Sequence, residues 1–118
     1  MLWVSDFDAQ IEFYSALFDI ENCYRVEGFA EITDGLNSVL LHQLPLEYRA
    51  ATPLTAQLPT LDEVAIKPVF TVASIAEAKS RVASTFASFS EASNSFGAFT
   101  YQDVIDPEGN VIQLQQAN

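Results

Sequence analysis

The chain has 118 residues, 49% of them apolar, enough to bury one sizeable core and too few for more than one ordinary domain. Sixteen Asp and Glu against five Lys and Arg leave a formal charge of -11, which repels phosphate backbones and anionic head groups and sets aside nucleic acid and membrane surfaces as partners. The apolar opening Leu2-Trp3-Val4 is closed by Asp6 and Asp8, far short of the roughly 20 residues that span a bilayer and without the basic flank of an export signal.

Residues 1 to 4 read as a short strand. Phe7, Ile11, Tyr14, Ala16 and Phe18 then recur at spacings that predict a helix over about 8–18. Asp6 is placed to cap it, and Asp8 adds charge that suits the positive end of the helix dipole. The runs Asn22 to Val26, Phe29 to Thr33 and Ser38 to Leu44 are short, rich in β-branched or aromatic residues, and separated by Gly28 and Asp34-Gly35, so three antiparallel strands are expected. Cys23 reads as a small apolar filler; one cysteine makes no internal disulfide, and a cytoplasmic location is expected.

Pro45 to Val64 carries three prolines and few periodic apolar positions. It is expected to be a crossover loop of about 20 residues, packed down through Tyr48, Leu54 and Leu58. Ile66 to Val72 then reads as a strand alternating around Val69 and Thr71. Ser74 with Glu77 forms an S-x-x-E capping box ahead of a helix over about 75–86. Ala87 to Glu91, Ala98 to Val104 and Asn110 to Gln115 read as three more strands, with Asp106-Pro107-Glu108-Gly109-Asn110 as a strong turn. Ser88 to Ser95 is Ser-rich and reads as a wide exposed hairpin.

The order βαβββ therefore occurs twice. Val4-Ser5-Asp6-Phe7 aligns with Val72-Ala73-Ser74-Ile75, and the stretch from Asp34 to Leu41 aligns with that from Asp106 to Gln113, as expected of an internal duplication. The chain is expected to be a single α+β domain of two βαβββ modules, one over about 1–44 and one over about 65–118. Each mixed sheet would bury one face under a helix and turn the other toward a common cleft.

Val4-Ser5-Asp6-Phe7-Asp8-Ala9, Phe13-Tyr14 and above all Asp106-Pro107-Glu108-Gly109-Asn110-Val111-Ile112-Gln113-Leu114 resemble the vicinal oxygen chelate superfamily, which includes glyoxalase I, bleomycin-resistance proteins and extradiol dioxygenases. The resemblance extends from Leu2 to Gln115. It implies two βαβββ modules curled around one cleft, commonly in a homodimer, with metal ligands at four cleft-facing strand positions. The first of these falls before Met1, the second at Leu41, or at His42 after a slip of one residue, the third at Lys67 and the fourth at Gln113. Divalent iron, manganese, nickel or zinc needs carboxylate or imidazole donors, so no cofactor is expected from this set.

The remaining candidates are read as binding groups. His42 is either a ligand or general base with a reference pKa near 6.5, or a structural group. Lys67 either meets a substrate carboxylate or phosphate, or acts as a base if desolvated, or is a solvated lysine beside Pro68 at the start of a strand. Gln113 and Gln115 share one face by the period of two, and their amides suit recognition over acid-base chemistry. Met1 and Trp3 share a face of the first strand, where Trp3 offers an aromatic wall or core filler. Glu12, Asp19, Glu21, Asp62, Glu63 and Glu108 read as solvated. The expected function is metal-free binding of a small organic molecule, most like the bleomycin-resistance proteins, by Trp3, Leu41, His42, Lys67, Val69, Gln113 and Gln115. The alternative is a glyoxalase-like lyase, isomerase or dioxygenase holding a divalent metal through unexpected ligands.

Overall fold

Short amphipathic runs punctuated by Gly and Asx turns produce two similar sheets, each carrying one helix. The computed structural model describes residues 1–49, 64–85 and 87–118. Residues 50–63, including the packing expected of Leu54 and Leu58 and the solvation expected of Asp62 and Glu63, lie outside the described residues, as does Phe86. β1 (Leu2–Val4) leads into α1 (Phe7–Leu17), and the Asp6 carboxylate accepts from the Ala9 N–H at 3.1 Å as the expected cap. The helix stops where Asp19 takes a left-handed φ of 58°. There the Asp19 and Ile20 N–H groups donate to the Ala16 and Ser15 carbonyls, the Schellman arrangement.

β2 (Tyr24–Val26), β3 (Phe29–Thr33) and β4 (Ser38–Gln43) follow as an antiparallel meander, and β1 lies parallel to β4, giving the order β1-β4-β3-β2. A single 3-10 turn, Leu46–Tyr48, comes next. The second half runs β5 (Val69–Thr71), α2 (Ile75–Arg81), β6 (Ser88–Phe89), β7 (Asn94–Phe96), β8 (Phe99–Ile105) and β9 (Val111–Ala117). Its order is β5-β9-β8-β6 with β5 parallel to β9, and β7 continues along the same edge of β8.

Three local expectations are corrected. β5 begins at Val69, not Ile66, because Pro68 has no N–H for the ladder, although its carbonyl still accepts from Gln113. α2 ends at Arg81, where the sequence predicts a helix to about 86; the Thr85 hydroxyl and N–H both turn back onto the Val82 carbonyl and close the chain locally. The Ser-rich stretch is a broken edge strand. Ser90 donates to Asp103, pairing resumes at Asn94 with Tyr101, and the residues between bulge outward.

One core serves both halves. α1 buries Phe7, Phe13, Tyr14 and Leu17 against Ala30, Ile32, Val39 and Leu41, while α2 buries Ile75 and Ala78 beside Val104, Ile112 and Leu114. The helices are joined by Arg81, whose guanidinium donates to the Ala16 and Leu17 carbonyls at 2.8 and 2.9 Å and so satisfies the end of α1. Among the described residues no helix is long and apolar enough to cross a membrane.

Candidate functional site

The two β-hairpins that close each half reach into the other half. In the first, the Asp34 carboxylate accepts from Leu36 and Asn37, and the Asn37 side chain exchanges two hydrogen bonds with the backbone of Thr71 on β5. In the second, Glu108 accepts from the Ser5 and Asp6 N–H groups at 2.8 and 3.1 Å. Glu108, expected to be solvated, thus holds the entrance of α1. Asp106 goes deeper: Oδ1 accepts from the Glu108 and Asn110 N–H groups, and Oδ2 accepts from the Asn110 amide, the Tyr14 hydroxyl and Gln10 Nε2. Burial, followed by the charge and hydrogen bond of Asp106, pushes the Tyr14 hydroxyl well above its ordinary value, so it remains a donor.

Where these hairpins draw the halves together, a space of about 500 Å³ remains at the seam. Leu2, Tyr14 and Val39 wall it from the first half, and Pro68, Phe70, Val111 and Ile112 from the second. Met1 and Ile66, both exposed, complete the lining with Ser38 and Asn110, whose hydroxyl and amide donate to Glu31 and Asp106. The seven sequence-derived candidates do not line this space.

Six of the seven, all but Leu41, lie instead on the sheet faces turned away from the helices, in two groups. On the first sheet, Trp3, His42 and Phe29 stand side by side across three strands. The His42 ring is 4.8 Å from Trp3 and 4.9 Å from Phe29, and Tyr24 extends the layer 6.3 Å from Phe29. Trp3 is 56% exposed, so it is not core filler. On the second sheet, Lys67 donates to Asp103 Oδ2 at 2.7 Å, Gln113 donates to Asp103 Oδ1 at 2.9 Å, and Gln115 donates to the Thr71 hydroxyl. Val69 lies directly opposite Gln113.

Leu41 is corrected. It has no exposure and belongs to the core that α1 covers, so His42 takes the outward face. The cause is one residue in a turn. Asp34 and Asn37 close the first hairpin around two residues, whereas Asp106 and Asn110 close the second around three. Leu41 therefore corresponds to Leu114 and His42 to Gln115, and the expected pairing of Leu41 with Gln113 slips by one. Asp103 escaped the sequence reading, yet the turn at 106–110 carries its signal: counting back from that hairpin places it across from Gln113.

The residues at the implied metal positions do not fit a divalent ion. Leu41 is buried hydrocarbon, the Lys67 ammonium is bound to the Asp103 carboxylate, and Gln113 is a neutral amide, so His42, its ring against Trp3 and Phe29, is the single suitable donor among these positions. Among the described residues no three His, Cys, Asp or Glu side chains converge to hold one.

No family model and no curated protein matches the chain. Solved structures do. A glyoxalase/bleomycin resistance protein from Albidiferax ferrireducens T118 superposes with a TM-score of 0.70 over 100% of this chain and 95% of its own, at 15% identity. The chain has the glyoxalase/bleomycin resistance fold. A glyoxalase/bleomycin resistance protein/dioxygenase family enzyme from Burkholderia phytofirmans PsJN matches at 0.68, with 14% identity over 99% of this chain and 94% of that one. The fosfomycin resistance protein FosX from Mesorhizobium loti matches at 0.65, with 11% identity over 98% and 86%. At these identities the likeness is one of fold, and the chemistry rests on the side chains described above.

Proposed function

We propose that this is a vicinal oxygen chelate superfamily protein that binds a small organic molecule between its two βαβββ halves without a catalytic metal. The observation that carries the reading is the seam of about 500 Å³, walled by both halves and of the size that ligand sites occupy, about 300–1,000 Å³. The misfit of Leu41, Lys67 and Gln113 to a divalent ion supports the metal-free part. Pairing of two copies is supported by Trp3, Tyr24 and Val26, all exposed on the first sheet. A cytoplasmic location belongs to the same reading.

A thermal-shift screen of chemically diverse small molecules, with metal analysis of the dialysed protein alongside, tests this. Binding at a hundred times Kd stabilises the fold by about 2.7 kcal/mol, so at least one compound raises the melting temperature by several degrees. A silent screen would sink the binding function, and stoichiometric divalent metal surviving dialysis would sink its metal-free character. Light scattering checks the dimer.

A further inference from the structure

The outward face of the first sheet carries a second arrangement, separate from the seam. We propose that this face binds a small organic cation, one whose charge sits on an alkylated ammonium, over the layer of Trp3, His42, Phe29 and Tyr24 and beside Glu31. The four rings are contiguous: Trp3 to His42 is 4.8 Å, His42 to Phe29 4.9 Å and Phe29 to Tyr24 6.3 Å between centroids. They come together because the strands pair in register, Trp3 opposite His42 and His42 opposite Phe29, while Ala30, Ile32, Val39 and Leu41 turn inward. Trp3 and Tyr24 are more than half exposed, and a contiguous layer of exposed rings on a folded chain marks a binding surface.

Ring faces are electron-rich and attract a cation, most strongly one that sheds its water easily. The charge beside the layer has the complementary sign. Glu31 lies directly opposite Tyr24 and two residues from Phe29 on the same face of β3, and among the described residues its carboxylate accepts only from the Ser38 hydroxyl, at 3.5 Å. The five Lys and Arg side chains are all engaged elsewhere: Arg25 with Asp8 and the Phe7 ring, Arg49 with the Leu44 carbonyl, Lys67 with Asp103, Lys79 over the Phe89 ring and Arg81 at the end of α1. None of them stands over the layer, so its ring faces and its carboxylate are open to a cation from outside. The formal charge of -11 adds long-range attraction for such a ligand and repels an anion.

The chain holds a single tryptophan, so the Trp3 indole N–H gives one magnetic resonance signal that reports on the layer. Phenyltrimethylammonium, neutral N,N-dimethylaniline and benzenesulfonate, probes of similar size, are titrated into the isotope-labelled full chain near pH 7 and followed at that signal and at the Phe29 and His42 amides. The expected result is saturable movement with phenyltrimethylammonium, bound at least about fivefold more tightly than either other probe. Trp3→Leu, read at the two amides, and Glu31→Gln each weaken the cation by at least about threefold, while Phe96→Ser, on β7 of the second sheet, leaves it unchanged. N,N-dimethylaniline binding as tightly as the cation, or undiminished cation affinity in Glu31→Gln, overturns the inference, as does an indole signal that none of the probes moves. If that silence comes with light scattering in which Trp3→Leu turns a dimer into a monomer, the face belongs to the pairing of copies. Cation shifts confined to seam residues such as Val39 and Ile112 overturn the inference too and support the binding function at the seam, which the test otherwise leaves untouched.

Discussion

The hairpins at Asp34–Asn37 and Asp106–Asn110 use the same device at two depths. Each carboxylate gathers N–H groups of its own turn and the amide of an Asn at the end of that turn, and each turn holds a glycine at positive φ, Gly35 at 89° and Gly109 at 84°. Asp34 remains exposed, and only Asn37 crosses to the other half. Asp106 is driven under α1, where Gln10 and Tyr14 complete its shell. A duplicated turn has thus become a surface cap in one copy and a buried anchor in the other. The extra residue in the second turn also shifts everything after it by one position.

The largest effect expected of this contrast is in Asp106→Ala. It leaves the Tyr14 and Gln10 donors buried without their acceptor, and each buried donor left unpaired costs about 1–3 kcal/mol. Urea unfolding measures it, and a loss below 1 kcal/mol would erase the distinction between the hairpins. The Tyr14 hydroxyl sharpens the same point at alkaline pH. Its folded-state pKa is raised above the ordinary value near 10, so its contribution is fully present below about pH 10 and is lost as pH rises toward the folded value. Stability therefore falls more steeply above pH 10 in the wild type than in Tyr14→Phe.

Asn37→Ala removes the two bonds to Thr71 and one to Asp34 at a partly buried site, for a smaller loss of about 1–2 kcal/mol in the same unfolding assay. The smallest effect is expected at Asp34. Burial raises its pKa, but hydrogen bonds from the Asn37 backbone and side chain and from the Leu36 N–H outweigh it, so the carboxyl stands below its ordinary value. Its stabilising contribution is present above the unfolded value of about 3.9 and fades as pH falls through the folded one. The stability difference between wild type and Asp34→Asn should be flat above pH 4 and shrink below it. No change across that range would remove Asp34 from the clasp.

Much of this architecture is legible in the chain. The Asp6 and Ser74 caps, the strand Phe29–Thr33 and the turn at 106–110 stand where local chemistry puts them, because each depends on neighbours within a few residues. The candidate site is less legible. Trp3, His42, Lys67, Gln113 and Gln115 do face outward, yet they divide between an aromatic layer on one sheet and a polar cluster on the other. Asp103 and Gln10 were missed because their partners are set by pairing and packing, not by spacing along an element.

The sequence by itself determined the twice-used βαβββ order, the positions of the turns and the outward pairing of Gln113 with Gln115, since periodicity and turn chemistry act over one to four residues. Tertiary structure alone decided that Leu41 turns inward and His42 outward, that Asp106 reaches Tyr14 across 92 positions, and that a space remains at the seam between the halves. Those outcomes depend on a single residue in a turn and on contacts between distant elements, and neither leaves a local pattern to read.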